Sequence, residues 1–328
     1  FQFSSTIICE QNTGLTGDLF ATNDEVQLSS TCHSSNCHQG HLEKSENTIR
    51  NNNNRLTVNM KSTDNKTRSV NLAFCGFSTT DPYDRITSAS KCTSETSTYV
   101  YLLDQDSNLF QFHPETFTVT FIAMINCSTT AYPYSMAIQR NGTAWVLFTD
   151  GSLYTFDVTN VQCQTTTYVA EQEGLILFGM HFATDGSNDN EKLYLSSDSS
   201  NPPFRLATLD IDTLEISIIG YYETISARAE LTGTNDGKLF GLFEGAPYII
   251  AEINRTNGEI LSKTSQDMIQ YTSDSSNFAF TTYSSNFFLF VGDNSFTDIF
   301  IYNLSTKITT KTTRISNGIV GSAVSTCL

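Results

Sequence analysis

From about residue 97 onward, apolar and polar positions alternate in short runs broken by Gly, Asn, Asp and Ser. Period-two alternation between turn residues predicts half-buried strands, and no stretch carries the three-and-four spacing of an amphipathic helix. One phrase, apolar-x-x-apolar-Asp/Asn/His-x-x-Thr/Asn, recurs five times: LFQFHPET (109–116), LYTFDVTN (153–160), LATLDIDT (206–213), IAEINRTN (250–257) and IFIYNLST (299–306). Its polar position falls at His113, Asp157, Asp210, Asn254 and Asn303, so the spacings are 44, 53, 44 and 49 residues. A period of about 40–50 residues in a strand-rich chain points to the four-stranded blades of a β-propeller.

The phrase has a local physical reading. Its apolar positions close one strand, the Asp or Asn accepts hydrogen bonds from the backbone two or three residues on, and a new strand follows the tight turn. These following strands are expected at 117–123, 161–168, 215–221, 259–264 and 307–313. Four of the units also have two earlier strands, at 135–139 and 143–148, 178–184 and 192–197, 229–234 and 238–243, and 278–283 and 286–291. Asn141-Gly142 and Asp236-Gly237 mark hairpin turns between two of these pairs. The first unit has strands at 97–104 and 109–113 but no inner strand before them. IVGSAVST at 319–326 is a strand without partners of its own. Inserting it beside 97–104 closes the ring and removes the open edges. The expected fold is therefore all-β: a five-bladed propeller over 93–328, closed by the C-terminal strand, with a sixth blade built from the N-terminal region as the competing arrangement.

Residues 1–92 hold no copy of the phrase but five of the eight cysteines. Strands are expected there at 26–31, 55–61 and 69–77, giving a small disulfide-stapled β region or an extended arm able to donate a strand to a neighbouring subunit. An even cysteine count in such a chain points to disulfides and an oxidising compartment. Ring closure brings Cys92 beside Cys327. Cys127 and Cys163 pair next, although the strand directions place them near opposite ends of a blade. Cys9, Cys32, Cys37 and Cys75 remain for the N-terminal region.

Charged residues make up only 16% of the chain, and the net charge of −16 excludes a phosphate-backbone partner. No apolar run approaches the ~18 residues of a membrane span. The start at Phe1 without a basic segment reads as a mature chain, hence secreted or extracellular.

Candidate chemistry is sparse. Asp185, Asp189 and Glu191 in DGSNDNE offer oxygen ligands to a hard cation, but an acidic hairpin loop explains them better and no metal or other cofactor is expected. Cys32-His33, Cys37-His38 and His41 have zinc-ligand residue types, yet oxidised thiols and loop histidines account for them. His181 falls in an expected innermost strand and reads as a hydrogen-bonded core residue. No Gly-x-Ser-x-Gly elbow occurs and no Ser, His and Asp constellation can be assembled, so no catalytic residue is assigned and the chain reads as non-enzymatic. Asn65, Asn126, Asn141, Asn254 and Asn303 are glycan acceptor sequons. From about residue 98 the phrases SMAIQRNGTAWVLFTDGSLYTFD, LILFGMHFATDG, ELTGTNDGKLFGLF, AEINRTNGEI and GIVGSAVSTC make the chain resemble a family of secreted β-propeller proteins and lipoproteins of bacterial genomes. That resemblance implies the propeller and the cysteine-bearing closing strand, and brings no activity. The expected function is a secreted structural or interaction module that self-associates or binds other extracellular proteins, such as a filament or surface-layer subunit. The alternatives are a glycan- or ligand-binding propeller, and a lactonase- or glycosidase-like hydrolase with clustered acids at the channel mouth.

Overall fold

The computed structural model describes residues 98–327, apart from 185–189, 200–202, 235 and 270–276, together with five strands nearer the N-terminus. Contacts divide the chain into two compact units, Phe1–Thr87 and Ser88–Leu328. In the first, β1 (Phe3–Ile7), β2 (Leu15–Ala21) and β3 (Val26–Cys32) form an antiparallel sheet in sequence order. Strands β4 (Arg55–Lys61) and β5 (Thr67–Ala73) form a hairpin. The sequence pattern had located β3, β4 and β5 but not β1 and β2.

The second unit is a five-bladed propeller. Strands β6 (Val100–Asp104), β7 (Asn108–His113) and β8 (Thr118–Met124) make the outer part of blade 1. Blade 2 contains β9 (Pro133–Ile138), β10 (Thr143–Phe148), β11 (Leu153–Asp157) and β12 (Gln164–Thr165). Blade 3 contains β13 (Phe178–Thr184), β14 (Glu191–Ser197), β15 (Arg205–Leu209) and β16 (Ile216–Tyr221). Blade 4 contains β17 (Ala229–Gly233), β18 (Leu239–Phe243), β19 (Tyr248–Ile253) and β20 (Ile260–Gln266). Blade 5 contains β21 (Asn277–Tyr283), β22 (Asn286–Gly292), β23 (Thr297–Asn303) and β24 (Thr309–Ile315). The final strand, β25 (Ile319–Ala323), pairs antiparallel with β6, Ile319 facing Asp104 and Ala323 facing Tyr101. It supplies the missing inner strand of blade 1 and closes the ring, as its apolar, partnerless sequence predicts.

Because each blade is sandwiched between two others, both faces of its inner strands are buried, and period two sends alternate side chains to different neighbours. Strand β6 shows this: Tyr101 and Leu103 pack into the layer shared with blade 2, Val100 and Leu102 into the layer shared with blade 5. The Val100–Leu102 layer joins Phe112 to Phe288 and Phe290, edge to face at 5.5 and 5.6 Å. Nearer the axis the inner strands converge and leave no room for bulk. A Cβ on Gly179 would lie 2.2 Å from the Ala229 carbonyl oxygen, and one on Gly233 2.4 Å from that of Phe182.

The repeated phrase forms the same turn in every blade. The N–H four residues beyond the polar position donates back to that residue's carbonyl, from Phe117 to His113, Val161 to Asp157, Leu214 to Asp210, Gly258 to Asn254 and Lys307 to Asn303. Asp157, Asp210, Asn254 and Asn303 add their side-chain oxygens as acceptors of the next backbone N–H groups. Each donor residue sits in the left-handed region, at φ 57, 53, 59, 78 and 61° in chain order. Only blade 4 uses glycine there, where the turn also lies against Gly220 of β16.

One strand differs from expectation. The 161–168 segment pairs only over Gln164–Thr165. Cys163 is disulfide-bonded to Cys127 in the connection leaving β8, and the Thr166 hydroxyl takes the Leu153 carbonyl, so both ends leave the ladder. This also resolves the strand-direction conflict for that pair. Cys127 lies in the connection between β8 and β9 rather than in a strand, so blade direction does not restrict its reach. Cys327 is disulfide-bonded too. Its expected partner Cys92 lies outside the described residues, as do Cys9, Cys37 and Cys75 and the side chain of Cys32.

Candidate functional site

The five inner strands run in the same direction along the channel, so their first residues share one end of the ring. Glu230 in β17 is the one carboxylate among the residues of these five strands. At this end opens a cavity of about 440 Å³, lined among others by Tyr132, Tyr134, Arg228, Glu230, Phe278 and Val320. The residues come from β9, β17, β21 and β25 and from loops at the same end.

Glu230 is 6% exposed. Its Oε2 accepts the Ser135 hydroxyl at 2.9 Å, and Ser135 Oγ in turn accepts the Met180 N–H at 3.1 Å. Among the described residues no cation forms an ion pair with it. Burial pushes its carboxyl well above the usual carboxylate range, with the Ser135 hydroxyl, the Arg228 charge and the Met180 N–H opposing only in part. Arg228, two residues earlier in the chain, is committed elsewhere. Its Nε and Nη2 donate to the two Glu244 carboxylate oxygens at 2.6 and 3.1 Å, and Nε lies 3.8 Å from Asp198 Oδ1. Its Nη1 donates to the Tyr134 hydroxyl at 3.3 Å, and the guanidinium lies 4.9 Å from the Phe278 ring centroid. Burial works against the charge on Arg228, but Glu244 outweighs it and holds the group protonated. Burial raises Asp198, and raises the Tyr134 phenol with Asp198 adding to the effect.

The residues singled out in the sequence lie elsewhere. Glu191 stands at the opposite end of the channel, accepting the Arg140 N–H at 2.9 Å and the Thr326 hydroxyl at 2.8 Å. There it ties the closing segment to blades 2 and 3. Asp185 and Asp189 lie outside the described residues, as do His33, Cys37, His38 and His41. His181 is fully buried, its Nδ1 3.1 Å from the Gly233 nitrogen and 2.7 Å from the Phe182 carbonyl oxygen. Burial lowers it to about 4, so it is a neutral link between the inner strands of blades 3 and 4. No group of three or more His, Cys, Asp or Glu side chains is arranged to hold a metal ion among the described residues. Nor is any helix there long and apolar enough to cross a membrane.

Asn126 and Asn141 are exposed at connections, and Asn141 uses its Oδ1 to accept the Thr143 N–H. At Asn303 the Nδ2 atom, where a glycan attaches, instead donates to Asn286 Oδ1 at 2.9 Å. Asn254 is half-buried, and Asn65 lies outside the described residues.

The mouth cluster has no motif spacing because its members come from blades 2, 3, 4 and 5. The available signal was ARAEL at 227–231, where two charges flank and enter a strand that is otherwise apolar.

No family model matches the chain, and no curated protein does. Among solved structures, the chain is similar to the WD40 repeats of RRP9 at 9% identity and TM-score 0.37, covering 70% of this chain and 67% of that one. It is similar to Myxococcus xanthus glutaminyl cyclase at 13% identity and TM-score 0.38, covering 60% and 88%. A third likeness is to the extracellular domain of a hybrid two-component system of B. thetaiotaomicron, at 12% identity and TM-score 0.35, covering 93% and 48%. These likenesses carry no functional argument, and the propeller assignment stands on the strand pairing itself.

Proposed function

We propose that the protein is an extracellular, non-catalytic binding module that takes a small polar molecule at the mouth of its propeller channel. The observation that carries this reading is the cavity of about 440 Å³ with buried, interlocked polar groups at its floor. That volume lies within the roughly 300–1,000 Å³ of ordinary ligand pockets, where a few fixed polar groups among apolar walls set orientation. Disulfides at Cys127–Cys163 and at Cys327 are compatible with an oxidising, extracellular setting. The filament-subunit expectation rests on residues 1–92, whose side chains lie outside the described residues.

Clustered acids at the mouth are also what a hydrolase requires, and burial shifts Glu230 upward, the direction a general acid needs. A partner base is the missing element, because Glu244 and Asp198 are both held by the Arg228 cation. The binding reading is therefore preferred. Its test is ligand-observed NMR against a library of small polar metabolites, repeated with Val320→Trp to fill the mouth. Binders that disappear in the filled variant are expected. A library that yields none, or binders indifferent to the filling, overturns the reading. Turnover of aryl glycosides or lactones that Glu230→Gln abolishes would replace it with hydrolysis.

A further inference from the structure

Three carboxylates gathered around Arg228 at the mouth, Glu230, Glu244 and Asp198, are unequally compensated. Glu244 has a bidentate guanidinium, and Asp198 shares that guanidinium and the Tyr134 hydroxyl. Glu230, the most buried of them, has the Ser135 hydroxyl, the Met180 N–H and only the through-space charge of Arg228, with no ion pair of its own among the described residues. A buried carboxylate with no ion pair is costly, and a chain folding for stability alone does better with an apolar side chain there. Unlike the interior of a blade, this position borders an open cavity.

The cavity's charge balance is negative. Among the described residues Arg228 is the single Lys, Arg or His lining it, and its charge is already matched by Glu244 and Asp198. Glu230 and the exposed rim residue Asp106 form no ion pair among the described residues, and Arg228 acts on Glu230 only through space. A cleft with a net negative balance concentrates cations, and here the whole chain carries −16. An anionic ligand meets repulsion, and a neutral one leaves the Glu230 desolvation unrelieved. An ammonium group relieves it, and the half-buried Tyr134 and exposed Tyr132 rings on the wall also favour a cation.

We propose that the mouth pocket takes an organic cation, an ammonium group carried on a small polar molecule, with Glu230 as its counter-ion. This rests on the binding-module reading and names the ligand's chemistry. It also gives the otherwise costly burial of Glu230 a reason, since the missing partner is the ligand.

The test uses the whole protein and a matched pair of probes, n-butylammonium chloride and n-butanol, with sodium chloride holding ionic strength constant. Dissociation constants come from ligand-observed NMR on the wild type, Glu230→Gln and Val320→Trp, with circular dichroism confirming that each variant is folded. Butylammonium is expected to bind at least tenfold tighter than butanol, and to lose at least tenfold in affinity in both variants. Equal affinity for the two probes, or butylammonium binding that survives Glu230→Gln, overturns the cation assignment. In that case, loss of both probes in Val320→Trp leaves the pocket standing as a site for neutral ligands. Binding that persists in the filled variant removes the pocket as well.

Discussion

Blade 5 and the channel mouth each bury a carboxylate, and they treat it in opposite ways. Asp298 in β23 is 1% exposed, and its two oxygens meet Lys311 Nζ at 2.6 Å, Arg314 Nε at 2.7 Å and Arg314 Nη2 at 2.9 Å. The cations extend from the neighbouring strand β24 with Arg314 laid 3.8 Å from the Phe296 ring centroid, so the group is closed. Glu230 is buried nearly as fully and borders empty space with the Ser135 hydroxyl, the Met180 N–H and the nearby Arg228 charge but no ion pair among the described residues. A fold supplies partners for the acids that hold it together. An acid left short of partners at the edge of a cavity marks where the fold has been shaped for something else.

The largest effect that sharpens this contrast is in blade 5. Asp298→Asn removes both ion pairs and sets an amide against two cations, and is expected to cost about 3 kcal/mol in chemical denaturation. The matching change at the mouth should have the opposite sign. Glu230→Gln keeps the shape and the Ser135 contact while removing a carboxyl that burial disfavours, and is expected to stabilise the unliganded protein by about 1 kcal/mol. If both variants lose stability alike, Glu230 is a structural acid and the contrast fails.

The two kinds of acid also separate by pH. Glu230 has a folded-state pKa above its unfolded value near 4.5, so the folded form is favoured when it holds its proton. Its contribution is fully present below pH 4.5 and is lost as pH rises through the folded value. Denaturation midpoints of wild type relative to Glu230→Gln should therefore fall with rising pH and then level off. A flat difference across that range removes the premise that Glu230 is short of compensation.

The sequence disclosed the scaffold because propeller blades repeat locally. The turn at Asp157, Asp210, Asn254 and Asn303 is built within a few residues, so its side-chain acceptor, its left-handed fifth residue and the strand after it recur as a readable phrase. Ring closure was legible for the complementary reason, one strand too few in blade 1 and one too many at 319–326. The mouth was not, since Tyr134, Asp198, Arg228, Glu244 and Phe278 meet only after four blades are placed around an axis. The polar residues that stand out in the chain, Glu191 and His181, turned out to stitch neighbouring blades together. Their conspicuousness comes from being polar in buried strands, a property that interblade links and binding residues share.

The smallest test asks whether the repeat's own acids are as replaceable as the contrast requires. Asp210 accepts the backbone N–H groups of Asp212 and Thr213, each at 2.9 Å. Those bonds hold its carboxyl below the usual range, so its stabilising effect is present above pH 3.8 and fades as pH falls through the folded value, the reverse of Glu230. Blades 4 and 5 place Asn at the equivalent positions, 254 and 303; the amide oxygen of Asn303 makes the same two bonds and that of Asn254 the first of them. The turn needs an acceptor rather than a charge. Asp210→Asn is therefore expected to change stability at neutral pH by less than about 0.5 kcal/mol, whereas Asp210→Ala, which leaves both N–H groups unserved, costs about 1 kcal/mol. A large loss on Asp210→Asn would show that charge matters at the turn, and Glu230 would no longer stand apart from the acids of the scaffold.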